Sequence, residues 1–578
     1  MGNILGRSNT VRRTKLLLEL LVIYYTINKV QLDPSSSTSR ILSRLDSSLK
    51  GYKPWQVVLG TLGVTHLLNN FSFMLGLNAP HRSLRSGPEL KYSPSYSRVR
   101  WFLTAFDAGV VSTQHIKVSA IRDTLSFIMG LYYLVFSRKA EEKVNRFQAQ
   151  VTPELIRAMW QKGQHPVLKF FSGLLEPKLP INGREVHVPR KDGSLIRCVL
   201  FFNGTDEQLR RASSLVLQFP GGGFIAMGPE DHASYLKVIA RELSVPILSV
   251  DYRKAPRDPY PAQLLDCYQT YESIVSTNGK AIGINLGGHP IESREHIDPN
   301  ELERPRLKLA LMGDSAGGNL AMAVTLRALV AGLRLPDGLH MIYPCLELAP
   351  TMWVPQKHVV KDPETGALRA RPGHSAILQA FPEQNKVTEA MQETKQSLSQ
   401  QDQPEISPHP IMDSGSSLHY GGRVAANYAS DETVTTLHPP EMSSRYKFAS
   451  DAVLPFRYQL MIGRALLRAG GDPTKDMYIS PLLAPDALLA KFPPTYVHVG
   501  QVDPLVDDSV ILCERLRKLN PKQIVRLEII PGVSHAYMNV TTLLPEGRQA
   551  LQRSIEWLSE IFTNAGEKPR VNLLPSQL

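Results

Sequence analysis

The fold of this chain is decided by one stretch, Leu309-Ala310-Leu311-Met312-Gly313-Asp314-Ser315-Ala316-Gly317-Gly318-Asn319. The apolar residues up to Met312 predict a short buried strand, and the Ala- and Leu-rich run after Ser315 predicts a helix. Between them, Gly313 to Gly317 spell G-x-S-x-G, a pattern in which glycines let the chain turn sharply from strand to helix. Such a turn lifts the serine hydroxyl above the sheet and directs helix N–H groups towards it. Ser315 is therefore the candidate nucleophile.

Strand and helix patterns alternate on both sides of this turn. Strands are predicted at 185–189, 194–201, 214–219, 245–250, 307–312, 339–346, 495–500 and 525–530, and helices at 231–243, 316–330, 458–467, 509–519 and 548–562. The first two strands flank Asp192-Gly193, which is a strong hairpin signal. Together with G-x-S-x-G, the alternation predicts the α/β-hydrolase fold, a mostly parallel central sheet flanked by helices.

The length and local composition indicate additions to this domain. A chain of 578 residues is too long for one ordinary domain. The segment 351–450 is rich in Pro, Gln, Ser, Glu and His, and this composition predicts a disordered insertion because it buries too little apolar surface. We therefore expect a helical N-terminal region, two hydrolase parts around an insertion, and a tail, at 1–165, 166–350, 351–450, 451–565 and 566–578.

The N-terminal region carries three apolar stretches, at 16–27, 55–77 and 125–136. The first follows a basic cluster and is short for a membrane span, and the second contains polar residues that are unfavourable in a bilayer centre. Two interpretations are open. The stretches pack against one another in a helical accessory domain, or they dock the chain on a membrane or lipid-droplet surface, with 16–27 as an anchor.

The charge and cysteine content exclude several classes of partner. Lys and Arg exceed Asp and Glu by 65 to 53, but the excess is spread along the chain, so no nucleic-acid partner is predicted and an anionic lipid surface fits better. The four cysteines are not spaced like metal ligands, so we interpret them as buried apolar residues of a protein in a reducing compartment. They are Cys198, Cys267, Cys345 and Cys513. No cofactor and no metal are predicted.

A nucleophilic serine needs a base, and the base needs an acid to orient it. In this fold the chain order is Ser, acid, His, and the last two follow late strands. Asp503 follows the strand that ends at Gly500, and His535 follows the strand that ends at Ile530. Asp507 and Asp508 compete with Asp503, but they begin the next helix, where they are expected to serve as an N-cap and a first-turn charge.

The oxyanion of a tetrahedral intermediate needs hydrogen-bond donors. Pro220-Gly221-Gly222-Gly223-Phe224 follows a buried strand, and its glycines allow the backbone to approach a reacting carbonyl closely. The N–H groups of Gly222, Gly223 and Ala316 are the predicted oxyanion hole.

These motifs closely resemble the hormone-sensitive lipase family of α/β-hydrolases. The resemblance covers about 200–350 and 450–560. It rests on Gly221-Gly222-Gly223-Phe224, Asp251-Tyr252-Arg253-Lys254-Ala255-Pro256, Gly313-Asp314-Ser315-Ala316-Gly317-Gly318-Asn319, Asp503-Pro504-Leu505-Val506-Asp507-Asp508 and His535. It implies a serine hydrolase that cleaves carboxylic esters, with acylglycerols or steryl esters as the substrates of the nearest relatives.

One position departs from the family pattern, which has His-Gly-Gly-Gly where this chain has Pro220. In the family that histidine braces the loop through hydrogen bonds, and proline removes them together with one N–H. The donors of Gly222 and Gly223 survive, so the expectation of an enzyme stands. A non-catalytic ligand receptor on the same fold is disfavoured because all three members of the triad are present.

The sequence is compatible with a location on either the cytosolic or the luminal side of a membrane. The leading expectation is an intracellular protein on the cytosolic face of the endoplasmic reticulum or on lipid droplets. The alternative is an anchored, luminal deacetylase of small aryl or steryl acetates, with glycosylation at the sequons of Asn70, Asn203 and Asn539.

One further motif predicts regulation. The stretch Leu209-Arg210-Arg211-Ala212-Ser213 is typical of a basophilic-kinase site, which predicts regulation at Ser213.

Overall fold

The computed structural model describes residues 92–147, 151–161, 181–286, 306–349, 359–361, 368–370 and 444–565. The chain divides into two compact units, Met1–Arg82 and Ser83–Leu578, and all of the described residues belong to the second. The apolar stretches at 16–27 and 55–77, the tail at 566–578 and most of the insertion at 351–450 lie outside the described residues.

An eight-stranded sheet forms the centre of the described unit. Its strands are β1 (Arg184–Pro189), β2 (Leu195–Phe201), β3 (Ser214–Phe219), β4 (Ile247–Val250), β5 (Lys308–Asp314), β6 (Gly338–Ile342), β9 (Thr495–Gly500) and β10 (Val525–Ile530). Their order across the sheet is β1-β2-β4-β3-β5-β6-β9-β10. The pairs β1–β2 and β2–β4 are antiparallel and all other pairs are parallel. The predicted α/β-hydrolase architecture is confirmed.

A second, two-stranded sheet lies within the segment 351–450. Its strands are β7 (Val359–Lys361) and β8 (Leu368–Ala370), which pair with each other in antiparallel orientation.

Helices cover this sheet and form the part that precedes it. They are α1 (Pro94–Thr113), α2 (Ser119–Val135), α3 (Ser137–Phe147), α4 (Pro153–Trp160), α5 (Asp206–Arg210), α6 (Ala233–Leu243), α7 (Ala262–Ser276), α8 (Ala316–Val330), α9 (Ser444–Lys447), α10 (Phe456–Leu466), α11 (Asp486–Leu489), α12 (Val506–Leu519) and α13 (Pro545–Asn564). No helix within the described ranges is both long enough and apolar enough to cross a membrane.

The burial of several strands and of helix α8 accounts for their apolar sequence patterns. Every residue of β4, β6 and β9 is buried, because helices cover both faces of a parallel sheet, and such strands read as continuous apolar runs. Helix α8 is buried almost all round, which accounts for its alanines and for its weak helical periodicity. The strand predicted at 339–346 ends at Ile342, since Tyr343 has φ 38° and turns the chain out of the sheet.

The described residues continue from Ser444, which lies inside the segment 351–450 that was predicted to be the insertion. Its short helix α9 is fixed by a buried ion pair, in which Arg445 lies 2.6 Å from Asp508, and both side chains are almost fully buried. The carboxylate of Asp508 also accepts the backbone N–H groups of Leu346 and Glu347 at 2.7 and 3.0 Å. Asp507 and Asp508 both lie in the first turn of α12, as expected, but neither of them is its N-cap. The N-cap residue is Leu505, and Asp508 anchors the end of the insertion to the core.

The four cysteines are free, and Cys198, Cys267 and Cys513 are buried as predicted. Cys345 differs, since it is half-buried and lies 3.9 Å from the Arg445 guanidinium.

Candidate active site

The turn between β5 and α8 is the strained element of the site. Ser315 has φ 54° and ψ −115°, a backbone conformation that residues with a side chain rarely adopt. A Cβ on Gly313 would lie 2.2 Å from the Gly317 carbonyl oxygen, and one on Gly317 would lie 1.8 Å from the Phe219 oxygen. Only glycine fits these two positions. The Ser315 N–H donates to the Ile342 carbonyl at 2.9 Å, which fixes the turn to the next strand.

The three residues predicted to form the triad come together above the carboxyl ends of the strands. The Nε2 atom of His535 lies 2.9 Å from the Ser315 Oγ, and its Nδ1 lies 2.9 Å from the Asp503 Oδ2. Asp503 is fully buried and also accepts the Leu505 N–H at 2.8 Å through its other oxygen. Because a carboxylate only accepts, Nδ1 carries the proton and Nε2 is free to accept the serine proton.

Opposing effects set the protonation of His535. Burial alone lowers the pKa of the imidazole, because a cation loses its hydration there. The carboxylate of Asp503 favours the cation through its charge and its hydrogen bond, and the net result is a pKa above the ordinary value. The ring of Tyr343 packs beside the imidazole, with centroids 4.7 Å apart, and shields it from water.

The loop that carries His535 is supported by residues that the sequence did not single out. Asp451 is fully buried and accepts hydrogen bonds from Ser534 Oγ and, at 3.0 Å, from Tyr92 Oη. The Ser93 N–H donates to the Gly532 carbonyl at 2.8 Å. The N-terminal helical region, which shows no hydrolase signature in its sequence, therefore helps to hold the histidine loop.

The predicted oxyanion donors lie on the two turns that face each other. Gly222 and Gly223 have φ 108° and 60°, and Ala316 is the first residue of α8. A Cβ on Gly222 would lie 2.3 Å from the Ala226 oxygen, so this conformation also requires glycine. Within the described part of the chain, none of these three N–H groups donates a hydrogen bond, which leaves them available to an incoming anion.

A buried pair fixes the glycine loop to the elbow. The Gly221 N–H donates to Asp314 Oδ1 at 3.0 Å, and Asp314 is the residue before the candidate nucleophile. The His232 Nε2 lies 3.1 Å from Asp314 Oδ2, while its Nδ1 lies 2.9 Å from the Gly228 carbonyl oxygen. The Gly228 carbonyl only accepts, so Nδ1 carries a proton, while Nε2 faces both the Asp314 carboxylate and the Gly221 N–H, which lies 3.2 Å away.

Opposing effects act on the His232 imidazole. Burial by itself lowers the pKa of His232, but the charge of Asp314 raises it, and the pKa ends above its ordinary value. His232 and Asp314 form a buried hydrogen-bonded pair that connects the two turns.

The loop is also held at Pro220, where this chain departs from the family pattern. Tyr252 Oη donates to the Pro220 carbonyl at 2.7 Å, and the Ala255 N–H donates to the Phe224 carbonyl at 3.0 Å. These bonds and the contact of Gly221 with Asp314 brace a loop that lacks the histidine. His232, Tyr252 and Asp314 were not predicted as site residues, although Tyr252 and Asp314 both stand within quoted motifs.

Within the described ranges, no group of three or more His, Cys, Asp or Glu side chains is arranged to hold a metal ion.

The sequence matches one family model and several curated proteins. The model of the alpha/beta hydrolase fold family matches residues 216–408 and 414–539. Hormone-sensitive lipase of Homo sapiens is 27% identical over 439 residues, which cover 62% of this chain and 39% of that protein. Hormone-sensitive lipase of Mus musculus is 26% identical over 445 residues, which cover 62% of this chain and 55% of that protein. The chain thus spans about half of the length of these curated relatives or less.

The solved structures include an esterase of Pyrobaculum calidifontis with a TM-score of 0.45 and 18% identity. The match covers 71% of this chain and 94% of that chain.

Proposed function

Because the chain belongs to the alpha/beta hydrolase fold family, in the group that contains the hormone-sensitive lipases, we propose that it hydrolyses carboxylic esters. The observation that carries this proposal is the hydrogen-bonded series Ser315–His535–Asp503, with both distances at 2.9 Å. A serine, a base and a buried acid in this order are the parts that acyl transfer needs.

In the proposed mechanism Ser315 Oγ attacks the ester carbonyl carbon while His535 Nε2 takes the hydroxyl proton. The tetrahedral intermediate collapses, the C–O bond to the alcohol breaks, and His535 returns its proton to the leaving alkoxide. Water then attacks the acyl-enzyme by the same route and releases the acid. Asp503 keeps the imidazole in the reactive tautomer and stabilises its cation.

The N–H groups of Gly222, Gly223 and Ala316 are proposed to receive the oxyanion of both intermediates. Donors that are already in place require no reorganisation as charge develops, and each is typically worth about 10²–10³ in kcat. The hydrogen-bonded pair of His232 and Asp314 would hold the glycine loop at the correct distance from Ser315.

The loop pair gives a prediction. In His232→Gln, the imidazole that contacts both Asp314 and the Gly221 N–H is lost, so we expect the glycine loop to shift and kcat to fall by about 10²-fold. KM should change little, because the affected donors act in the transition state. Steady-state kinetics on a p-nitrophenyl ester measures both parameters, and His187→Gln, on an exposed strand, is the control. A large rise in KM with an unchanged kcat would contradict this positioning role.

We propose acylglycerols or steryl esters as substrates, taken from a membrane or lipid-droplet surface on the cytosolic side. Similarity to hormone-sensitive lipases supports this choice. An acyl-chain series from acetyl to oleoyl esters, with and without lipid emulsion, tests it. We expect activity to persist on long chains and to rise with emulsion. Activity confined to acetyl esters would favour the deacetylase alternative, and no turnover of any ester would favour a receptor.

Regulation at Ser213 is also proposed. This residue is exposed and lies directly before β3. Its neighbours Arg210 and Arg211 both pair with Glu207, at 2.5 and 2.9 Å, so a phosphate would have to compete with that carboxylate for them. Phosphopeptide mapping after incubation with a basophilic kinase tests the proposal, and consistently unmodified Ser213 would contradict it.

A further inference from the structure

Helix α2 presents its apolar side chains outwards. Ten large hydrophobic side chains are exposed among the described residues, and seven of them lie between 118 and 136. The residues on the helix itself are Ile121, Leu125, Ile128, Leu131 and Tyr132, with exposed fractions from 37% to 53%. Their spacing of three, four and seven positions puts them on one side of the helix. We call these five residues the α2 face.

The opposite side of α2 packs on α1 through small residues and through Phe127, whose ring centroid lies 5.8 Å from that of Phe106. A Cβ on Gly130 would lie 2.6 Å from the Phe106 ring, and one on Gly109 would lie 2.3 Å from the Ser126 carbonyl oxygen. Tyr133 is buried there, and its Oη lies 3.1 Å from Ser112 Oγ. Helix α2 therefore carries apolar side chains on both sides, whereas an ordinary surface helix has a polar outer side.

Basic residues border this face. Between 117 and 147 the chain has six Lys or Arg residues and three carboxylates. Lys117 precedes the helix and is exposed, and the Lys139 ammonium donates to Tyr132 Oη at 3.0 Å and lies over the Phe136 ring. An apolar helix face with a Tyr–Lys pair and flanking cations is the pattern of a helix that lies in a lipid interface above anionic headgroups.

We propose that the α2 face is the surface by which this protein binds anionic lipid. The helix would lie in the plane of the interface with Ile121, Leu125 and Ile128 among the acyl chains, over about 25 Å of its length. The cations at its two ends would contact lipid phosphates. This inference deepens the proposed function, since it names the surface that would bring the site to an ester in a lipid layer.

Co-sedimentation of the full chain with phosphatidylcholine–phosphatidylserine vesicles tests the proposal. All variants carry Ser315→Ala, so that a failure of binding is separate from a failure of catalysis. We expect Ile121→Gln with Ile128→Gln to lower the partition coefficient at least about tenfold. The matched control is Leu195→Gln with Ile529→Gln, two exposed apolar residues of the sheet, which should leave binding within about twofold. Vesicles of phosphatidylcholine alone should bind less, and high salt should weaken binding.

Other occupants of the face give different results. If residues of the same chain cover it, the double variant lowers the unfolding temperature and leaves vesicle binding unchanged. If a second copy covers it, light scattering shows a dimer that the double variant dissociates, again without a change in vesicle binding. Either result, or equal loss in the control variant, would overturn the proposal.

Discussion

Replacing Ser315 by alanine is expected to lower kcat for p-nitrophenyl esters by about 10⁶-fold, the loss seen when a serine nucleophile is removed from a complete triad. Without its Oγ, no acyl-enzyme forms. The residual rate would come from the N–H donors and from substrate binding alone. Labelling by a fluorophosphonate probe should be lost with the activity, because the probe reacts with the same oxygen. Stopped assays and in-gel fluorescence measure the two effects on the same preparation.

The substitution should leave the fold intact. Alanine keeps the Cβ, so the φ of 54° at position 315 is no more strained than in the natural chain. The Ser315 N–H and its bond to Ile342 are also unchanged. Ser213→Ala, at an exposed position, is the matched control and should keep both activity and labelling. Fluorophosphonate labelling of Ser315→Ala at the natural rate would refute the assignment of the nucleophile.

Local pattern was sufficient to predict most of the sheet and the order of the site. The elbow could be predicted because G-x-S-x-G, an apolar strand and an Ala-rich helix stand next to one another in the chain. Asp503 and His535 could be predicted because the carboxyl ends of parallel strands meet at one edge, so that residues far apart in sequence converge there. The structure brings Ser315, Asp503 and His535 into hydrogen-bonding contact, as this reasoning expected.

Pairs that form across the fold were not predictable from the sequence. His232 and Asp314 are 82 positions apart, and nothing in the local sequence of either indicates a buried partner. Asp508 lies in the first turn of α12, as expected, but its buried partner was not predictable. That partner, Arg445, lies in a segment whose polar composition predicted disorder, yet its side chain is buried and donates to Asp508, Gln459 and the Glu347 carbonyl.

The sequence predicted the apolar character of the α2 face but not its exposure. The apolar run at 125–136 showed that a helix would have large hydrophobic side chains, but not whether they would face the protein or the solvent. Gly109 and Gly130 allow the two helix backbones to approach closely on one side of α2, and this close approach turns the α2 face outwards.

Asp503→Asn is expected to lower kcat by about 10⁴-fold with little change in the fold. The asparagine side chain can still accept the Leu505 N–H through its oxygen. Its NH₂ group would then face His535 Nδ1 and donate to it, so the imidazole proton would move to Nε2. In that tautomer Nε2 cannot accept the proton of Ser315, and the base is lost although the distances are kept.

The pH profile provides a second readout for this variant. In the natural chain activity falls as the pH drops through the raised pKa of His535, because the base must be neutral. The charge of Asp503 opposes the effect of burial and raises the pKa of His535. Removing that charge therefore lowers the pKa of His535. We therefore expect the acidic limb of kcat/KM to move to lower pH in Asp503→Asn, while the maximum rate drops.

Asp507→Asn is the control that separates the two candidate acids. Asp507 lies in the first turn of α12 and accepts the Ser444 N–H at 2.8 Å, so its loss would affect the anchoring of α9. We expect kcat within about threefold of the natural value and no movement of the acidic limb. Because asparagine keeps an acceptor oxygen at both positions, a difference between the variants reports the charge beside His535. Equal losses in the two variants, or an acidic limb that stays in place in Asp503→Asn, would show that Asp503 does not orient the base.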